Sequence, residues 1–398
     1  MKSKAAESFD VSHSSPLGRS GGASIYIHIP FCKQACNYCD FHFSTSLNKK
    51  DAMISAMISE ILLRKNEVEN EVVETIYFGG GTPSILSISE IELLISSVYS
   101  NFKVCENPEI TLEANPDDLD LEKIIMLSKS PINRLSIGIQ SFFESDLKMM
   151  NRAHNAAEAI KCLENATQYF DNISIDLIYG IPEMSNENWV QNIDKALSFG
   201  VNHISSYALT VEPKTALKKL IETGKINAPK DEVAASHFEI LVDKMNENGF
   251  IHYELSNFGK ENYFSRNNSA YWLGKKYLGI GPSAHSFNGT TRSWNIANNT
   301  VYIKSINENK LPNEVEILSE IDKYNEYIMT GLRTIWGVDI NKIKNDFGEK
   351  FLHHLQTQAK KFVNDDLLIE EKSILKTTKK GKFLCDGIAS DLFMLNLK

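Results

Sequence analysis

Three cysteines lie close together in the segment FCKQACNYCDF, residues 31–41. They are Cys32, Cys36 and Cys39, with three and then two residues between them. Cysteine thiolates bind zinc and iron-sulfur clusters, and a structural zinc site normally has four protein ligands. A cluster held by three cysteines keeps one iron open, where a molecule with an amine and a carboxylate can chelate. The spacing therefore favours a cluster with an open coordination site.

Zinc is the alternative, because His42 follows Cys39 by three residues and could supply a fourth ligand. The protein would then be a zinc-stabilised binding module that uses its basic C-terminal segment for nucleic acid. That segment carries Lys376, Lys379, Lys380 and Lys382. The chain has 42 Lys and Arg against 51 Asp and Glu, a net charge of −9. We therefore expect these lysines to be solvated and no nucleic acid to bind.

Further polar and glycine-rich positions are candidates for the same site. A run of three glycines, FGGGTPS at 78–84, lets a backbone approach a ligand closely, although a tight turn explains it equally well. Polar residues at or just beyond the ends of β-rich segments are Glu113, Gln140, Arg152 and Asp176. Parallel α/β proteins assemble their sites at such ends, although surface or capping roles explain each residue alone.

Six apolar, β-rich segments predict the strands that position these residues. They are SIYIHI (24–29), TIYFGG (75–80), ITLEAN (110–115), RLSIGIQ (134–140), ISIDLIYG (173–180) and HISSYALT (203–210). Helical patterns lie between them, such as SISEIELLISSVY, where Ser87 and Glu90 predict a capping box. Six strand-helix units predict a parallel α/β sheet, either open and doubly wound or curled into a complete or partial barrel.

The C-terminal part has a different pattern. A polar segment, 288–318, predicts a linker, after which Ser319 and Asp322 predict a helix start. The segment LLIEEKSILKTTKKGKFL is typical of a β-hairpin wing after helices. The expected domains are a disordered polar tail (1–23), a main domain (24–287), the linker (288–318) and a small winged-helix-like α+β domain (319–398).

Composition limits the class of protein. With 42% hydrophobic and 23% charged residues, the chain is expected to be globular. It has no run of 18 apolar residues, and its first 22 residues are polar and small, so we expect a cytoplasmic location and no integral membrane segment. Cys105, Cys162 and Cys385 are scattered, which argues against a disulfide framework.

From Tyr26 to about His285, the chain resembles the coproporphyrinogen-oxidase-like branch of the radical S-adenosylmethionine superfamily. The motifs are YIHIPFC, CNYC, FGGGTPS, LEANPD, RLSIGIQSF, NRAHN, IDLIYGIP, YALTVEP and YLGIGPSAHSF. The C-terminal segment also resembles that of the family. This resemblance implies a partial (β/α)6 barrel similar to a TIM barrel, a 4Fe-4S cluster and S-adenosylmethionine, whose cleavage by the cluster yields a 5′-deoxyadenosyl radical.

The resemblance also implies roles for individual residues. Cys32, Cys36 and Cys39 would hold the cluster. The residues expected around S-adenosylmethionine are Tyr26, Tyr38, Gly80, Gly81, Thr82, Glu113, Gln140, Arg152, Asp176 and Ala208. Among them, Tyr38 would lie near the adenine, and Glu113 and the glycines near the methionyl amine. No catalytic residue is assigned.

Two functions compete within this branch. The oxygen-independent oxidases decarboxylate two propionates of coproporphyrinogen III to give protoporphyrinogen IX, whereas the haem chaperones bind haem and deliver it to recipient proteins. The oxidases have a further cysteine two residues after the third one, and the chaperones have an aromatic residue there. Phe41 occupies this position. The oxidases also have a longer extension before the first strand, so both features favour a haem chaperone.

The segment SRNNSAYWLG, 265–274, resembles the His-Asn-x-x-Tyr-Trp segment of the chaperones. Asn267 stands where the family has histidine, and an amide cannot ligate haem iron as imidazole does. Other candidate ligands near the motifs are His42, His252 and His285, although a lone histidine more often makes a structural hydrogen bond. The expected partners are haem or a porphyrin and a haem-receiving protein, with a homodimer as an open alternative.

Overall fold

Six parallel strands form the centre of the N-terminal part of the chain. A computed structural model describes residues 22–395. The strands are β1 (Ala23–Ile29), β2 (Val73–Gly80), β3 (Val104–Ala114), β4 (Arg134–Gln140), β5 (Ile173–Tyr179) and β6 (His203–Ala208). All six predicted strands are confirmed, and β4 has the predicted bounds. Most of the expected tail, residues 1–21, lies outside the described residues, and Ala23 already belongs to β1.

Helices follow each of these strands. They are α1 (Lys50–Leu63), α2 (Ile88–Asn101), α3 (Leu121–Ser128), α4 (Glu144–Met149), α5 (Ala156–Ala166), α6 (Asn186–Ser198), α7 (Ala216–Glu222) and α8 (Asp231–Glu247). Helix α2 begins with the predicted capping box, in which the Ser87 side chain accepts from the Glu90 amide. Between residues 22 and 395, no helix is long and apolar enough to cross a lipid bilayer.

Additional strands extend the sheet on both sides. The elements are β7 (Ile251–Glu254), β8 (Asn257–Gly259), α9 (Arg266–Trp272), β9 (Lys276–Ile280), β10 (His285–Phe287), β11 (Thr291–Asn295), α10 (Asn299–Asn307) and β12 (Asn313–Ile317). The strand order is β12-β11-β10-β9-β1-β2-β3-β4-β5-β6-β8-β7. Strand β1 pairs with β9 and β6 pairs with β8, so the six-stranded barrel does not close. The partial barrel is therefore confirmed.

The expected linker, 288–318, is folded. It contains β11, α10 and β12, and β11 pairs with β10 on one side and β12 on the other. The sequence of β11, TRSWN, lacks the alternation of apolar and polar residues that identifies a half-buried strand. The prediction of a linker was therefore wrong, because the polar composition gave no sign of the two strands β11 and β12.

The C-terminal part has its own buried core. Its elements are α11 (Glu320–Leu332), β13 (Val338–Asp339), α12 (Ile340–Phe347), α13 (Glu349–Asn364), β14 (Leu368–Glu371), β15 (Ile374–Thr377), α14 (Lys379–Lys382) and α15 (Cys385–Asp391). The predicted hairpin is formed by β14 and β15, and the lysine-rich end of the predicted wing is helix α14. Lys379 pairs with Asp243, and Lys382 bonds to His252 Nδ1 at 2.8 Å. The expected solvation holds for Lys379 and Lys380, which are exposed, but not for Lys382, which packs against β7 of the main sheet.

Side chains on β1 alternate between two environments, as the pleat of a strand requires. Ile25, Ile27 and Ile29 are fully buried in the apolar layer beneath the helices. Tyr26 and His28 point the other way, into the interior of the partial barrel, where the Tyr26 ring stacks on Tyr77 of β2 at 6.1 Å. The interior surface of the barrel is thus lined by polar and aromatic groups.

A buried arginine joins α1 to the additional strands. Arg64 Nη1 donates to Gly279 O of β9 at 2.8 Å, and its Nη2 donates to Ser286 Oγ of β10 at 3.1 Å. The guanidinium also pairs with Glu60 at 3.1 Å, and both side chains are almost fully buried. A buried ion pair retains its stability only when hydrogen bonds satisfy the remaining polar atoms.

Glu60 supplies those further bonds. Its Oε2 accepts from the Gly281 amide at 2.8 Å and from the Tyr302 hydroxyl of α10 at 2.5 Å. Its Oε1 accepts from Asn295 Nδ2 of β11 at 2.7 Å. One carboxylate therefore fixes β9, β11 and α10 against α1, and it positions the side of the barrel next to β1.

We expect Glu60→Ala to lower the free energy of unfolding by about 3–5 kcal/mol, because it leaves Arg64 partly unpaired in the interior. Urea denaturation followed by circular dichroism measures the change. Glu67→Ala is the matched control, since Glu67 pairs with the same Arg64 but its side chain is 43% exposed. A loss of stability in Glu67→Ala as large as that in Glu60→Ala would contradict the central role of Glu60.

Candidate functional site

The three cysteines lie in the loop between β1 and α1, which other parts of the chain hold in place. The Cys32 amide donates to Ser44 O at 3.1 Å, which closes the loop on itself. Asn37 donates from its amide to Met150 O at 3.0 Å and from Nδ2 to Met149 O at 2.7 Å. The loop is thus fixed to the end of α4, on the side where the strands end.

Two hydrogen bonds end on cysteine sulfurs. Thr82 Oγ1 donates to Cys32 Sγ at 3.3 Å, and Arg152 Nη1 donates to Cys36 Sγ at 3.3 Å. Asn115 links the two donors, since it accepts from Arg152 Nη2 at 2.7 Å and donates to Thr82 Oγ1 at 3.4 Å. Such donors stabilise negative charge on sulfur and contribute to the reduction potential of a cluster.

Burial favours the neutral form of two of the three cysteine thiols, those of Cys32 and Cys39. Burial raises the pKa of Cys32 to about 11, and Thr82 opposes part of the rise. Burial also raises the pKa of Cys39 to about 11, with contributions from the neighbouring Cys36 and Cys32. A cation reverses this preference, because a bound metal ion stabilises thiolates and displaces their protons.

The geometry fits a cluster better than a single zinc ion. Within residues 22–395, no three Cys, His, Asp or Glu side chains are grouped so that they could hold one metal ion. His42, the fourth ligand of the zinc alternative, instead bonds through Nε2 to Asn299 Oδ1 at 2.7 Å. In a 4Fe-4S cluster each thiolate binds a different iron, so the sulfurs need not converge on one point. The donors on Cys32 and Cys36 suit thiolates that bind such a cluster.

The glycine run packs the end of β2 against the cysteine loop. Gly80 has φ +105°, and a Cβ there would lie 2.5 Å from His28 Nδ1. A Cβ at Gly81 would lie 2.5 Å from Phe31 O. The Gly81 amide donates to Ile29 O at 2.8 Å, and the Thr82 amide donates to Phe31 O at 2.7 Å. The glycines therefore allow the end of β2 to approach the cysteine loop closely. The amides of Gly81 and Thr82 already donate within the protein, so they are not free to bind a ligand.

Two carboxyl groups, Glu113 on β3 and Asp176 on β5, face the interior of the barrel. Burial raises the pKa of Glu113 to about 7, against the hydrogen bond that Tyr77 donates to its Oε1 at 2.8 Å. Burial raises the pKa of Asp176 to about 6, against the positive charge of Arg134. Carboxyl groups in such a site gain interaction energy when a cationic ligand enters.

Two of the predicted site residues, Arg152 and Asp176, do not lie at the end of a strand as predicted. Arg152 follows α4 instead of ending a strand, and its guanidinium returns to the strands by donating to Gly138 O at 2.8 Å. Its Nε is buried and has no hydrogen-bond partner among residues 22–395. Asp176 lies in the middle of β5.

The remaining predicted residues are close to the same end of the barrel. Gln140 ends β4 with φ +68° and is 8% exposed, and Ala208 ends β6. The Tyr38 hydroxyl accepts from Arg152 Nη1 at 3.4 Å, which places Tyr38 beside Cys36. Tyr26 lies deeper, with its hydroxyl 3.3 Å from His28 Nδ1. Of these residues, the contacts place Tyr38 beside the cysteine loop and Gln140 near Arg152.

Sequence reasoning missed several polar residues of this region. Asn115 joins the donors of both cysteine sulfurs, and Tyr77 bonds to Glu113. Arg134 provides the charge that opposes protonation of Asp176. The signal was present in the pattern, because Tyr77 and Arg134 alternate with apolar residues along β2 and β4 and so face the polar interior.

A cavity of about 620 Å³ lies beside the cysteine loop, on the face that β1 shares with β9, β10 and β11. The residues that line it are Ser24, Tyr26, His28, Asp40, Phe41, His42, Asn267, Tyr271, Lys275, Tyr277, Ser283, His285 and Arg292. Phe41 is 66% exposed, so its ring is available at the cavity. His252 is not in the lining, because it stacks on Phe258 at 4.1 Å beneath Lys382.

We expect Cys36→Ala to abolish the visible absorbance of an anaerobically reconstituted cluster, together with bound iron and sulfide. The reason is that only three thiols are available in the loop, and each holds a different iron. Cys105→Ala is the control, since Cys105 is a half-buried residue of β3 outside the loop. Full iron and sulfide content in Cys36→Ala would defeat the assignment of the loop as a cluster site.

Comparisons with known proteins agree with this arrangement. A family profile described as the radical SAM superfamily matches residues 26–223, and the HemN C-terminal domain matches residues 318–384. A solved structure, coproporphyrinogen III oxidase (HemN) from Escherichia coli, superposes with a TM-score of 0.81 over 94% of this chain and 90% of that chain. At 22% sequence identity, that likeness shows the fold alone.

Similar proteins include the heme chaperone HemW of Bacillus subtilis, which is 33% identical over 91% of this chain and 96% of that protein. The heme chaperone HemW of Lactococcus lactis is 34% identical over 92% of this chain and 98% of that protein. The radical SAM superfamily implies a 4Fe-4S cluster and S-adenosylmethionine. On these grounds the chain belongs to the radical SAM superfamily and, within it, to the HemW family of heme chaperones.

Proposed function

We propose that this protein is a haem chaperone that binds haem and delivers it to a recipient haemoprotein in the cytoplasm. The observation that carries the proposal is its similarity to HemW relatives over more than nine tenths of the chain, with Phe41 in place of a fourth cysteine. Residues 24–287 form the cofactor-binding domain in this proposal, and residues 319–398 form the C-terminal domain. A homodimer is compatible with it.

Cys32, Cys36 and Cys39 hold the 4Fe-4S cluster in this proposal. Thr82 and Arg152 support that role, because their donors stabilise the charge on two of the three sulfurs. The cluster, when bound, supplies an electron for the reductive cleavage of S-adenosylmethionine. Anchoring of the loop to α4 keeps the cysteines at the strand ends, so loading requires little rearrangement of the chain.

Residues of the barrel interior then bind S-adenosylmethionine. Glu113 has the charge to receive the methionyl amine or the sulfonium, and Asp176 can accept from the ribose hydroxyls. The buried Nε–H of Arg152 has no acceptor among residues 22–395, so it can donate to the carboxylate of S-adenosylmethionine. Tyr38 lies beside Cys36 and is the candidate for the adenine. Tyr26, Gly80, Gly81, Thr82, Gln140 and Ala208 complete the proposed surroundings.

Phe41 separates the chaperone from the alternative, an oxygen-independent coproporphyrinogen III oxidase. The family resemblance places a fourth cysteine at this position in the oxidases, and here an exposed aromatic ring lines the cavity beside the loop. A cavity of about 620 Å³ with aromatic walls is within the size range of sites for large cofactors. An aromatic wall favours a flat macrocycle, so the cavity supports haem binding.

We expect the affinity for S-adenosylmethionine to rise as the pH passes through about 7 and to level off roughly one unit above it. The pKa of Glu113 is about 7, so the free protein must lose a proton before the carboxylate can pair with a cation. Isothermal titration of the reconstituted protein between pH 5.5 and 8.5 measures this dependence. Ionisation of Asp176, whose pKa is about 6, contributes at the lower end.

Glu113→Gln tests the assignment to Glu113. The variant keeps the hydrogen bond with Tyr77 and cannot ionise, so its affinity should be weaker and nearly independent of pH above 6.5. Glu109→Gln is the control, because Glu109 lies on the same strand but accepts from the amides of Arg266 and Asn267 instead. An unchanged pH profile in Glu113→Gln would show that another group binds the cation.

The decisive test of function combines two assays on the anaerobically reconstituted protein. In the first, coproporphyrinogen III, dithionite and S-adenosylmethionine are added, and protoporphyrin is sought by chromatography. In the second, haem is titrated and its uptake is followed by absorbance. We expect stoichiometric haem uptake and no protoporphyrin.

Formation of protoporphyrin would make the protein a decarboxylating oxidase and Phe41 a tolerated substitution. An absence of both haem uptake and turnover would contradict both functions. The proposed function also includes transfer of the bound haem. When the haem-loaded protein is mixed with an apo-haemoprotein, the absorbance spectrum should therefore change to that of the haem-loaded recipient.

A further inference from the structure

The cavity beside the cysteine loop holds a set of groups suited to haem. Aromatic rings of Tyr26, Phe41, Tyr271 and Tyr277 line it, and the Tyr271 and Tyr277 rings lie 5.5 Å apart. Three histidines also line it, on β1, on the cysteine loop and on β10. Aromatic walls can cover the faces of a porphyrin, and an imidazole can bind its iron.

We propose that His285 is the axial ligand of haem iron in this cavity, an inference that rests on the proposed haem-chaperone function. His285 is exposed on the cavity side of β10, and its ring stacks on Trp294 of β11 at 6.0 Å. No described residue makes a hydrogen bond to its ring nitrogens, so within residues 22–395 both nitrogens are available. Trp294 is the cross-strand neighbour of His285, so its ring packs beside the imidazole.

Asn267 removes the haem ligand that the family resemblance predicts at this position. It occupies the position of the family histidine, and its side chain lines the same cavity as His285. Its Oδ1 accepts from Thr75 Oγ1 at 3.0 Å, so the amide is part of the hydrogen bonding of β2. An amide has no imidazole nitrogen to offer to iron. A ligand on β10 therefore serves the same bound macrocycle from a different side.

His28 lacks a free nitrogen. Its Nε2 lies 2.9 Å from His42 O, and its Nδ1 lies 3.3 Å from the Tyr26 hydroxyl. It is also only 5% exposed. Ligation by His28 would break a hydrogen bond in the interior, which costs free energy at a site without solvent.

His42 is the second competitor. Its Nε2 lies 2.7 Å from Asn299 Oδ1, and its ring stacks on His28 at 6.4 Å. Only Nδ1, the nitrogen nearer to the backbone, is without a partner among the described residues. The His42–Asn299 bond joins the cysteine loop to α10, so ligation through Nε2 would break this contact. His285 requires no such rearrangement.

Two cations of the cavity fit the propionates of haem. Lys275 and Arg292 line the cavity together with one acid, Asp40. Lys275 is paired with Glu74 at 3.0 Å, and Arg292 is paired with Glu326 at 2.5 Å. Both cations are partly buried, and propionates could join these pairs as further acceptors. In this arrangement the propionates lie beside Lys275 and Arg292.

The test is haem titration of the reconstituted full chain and of His285→Ala, followed by absorbance and magnetic circular dichroism. We expect a spectrum of imidazole-ligated haem in the wild type, its loss in His285→Ala, and binding weaker by about 10-fold or more. Added imidazole should restore the spectrum in His285→Ala, because it can occupy the space left by the side chain. A purely structural defect would not respond to imidazole.

Two further variants act as controls. His42→Ala should keep the imidazole spectrum, and Asn267→His should restore it when combined with His285→Ala. An unchanged spectrum and affinity in His285→Ala would overturn the inference, as would loss of the spectrum in His42→Ala alone. If the wild-type protein does not bind haem, the proposed function is wrong. If the wild type and His285→Ala bind haem equally well, the proposed function stands and only the assignment of His285 is wrong.

Discussion

The buried guanidinium of Arg152 is the interaction on which the site depends. It donates to Cys36 Sγ, to Asn115 Oδ1 and to Gly138 O, so one side chain joins the cysteine loop, the end of β3 and the middle of β4. Burial of a charge is costly unless hydrogen bonds satisfy it. The cysteine loop and the strand ends together satisfy the two terminal nitrogens of Arg152, and the geometry of each therefore fixes the geometry of the other.

Strand β1 contributes residues of one face to two neighbouring sites. Tyr26 and His28 face the barrel interior next to Glu113, and both also line the cavity beside the cysteine loop. The barrel does not close, because β1 pairs with β9 instead of β6. This opening creates the wall of β9, β10 and β11 that supplies His285 and Arg292. Cofactor and haem are thus proposed to bind within reach of one strand.

Much of the fold follows from the sequence. The six buried strands are strongly apolar and regularly spaced, and the capping boxes at Ser87 and Ser319 fix the helix starts. The folded segment 288–318 could not be predicted, because its strand TRSWN is stabilised by pairing with β10 and β12 and not by an apolar face of its own. Tertiary contacts of this kind override a polar composition.

The sequence predicted which types of residue form the site, but it did not predict how they contact one another. The cysteine spacing and the family motifs identified the loop, yet the glycine run proved to pack against Phe31. The side chain of Arg152 reaches the site from a loop after α4, which no local pattern reveals. Asn115, inside the motif LEANPD, was missed because its role lies in hydrogen bonds between separate segments.

The most direct test of the account is an anomalous difference map at the iron edge from crystals of the reconstituted, haem-loaded protein. The account predicts two sites of iron: a four-iron cluster bonded to Cys32, Cys36 and Cys39, and a single iron in the cavity next to His285. A haem iron outside that cavity, or a single metal ion in place of the cluster, would contradict it.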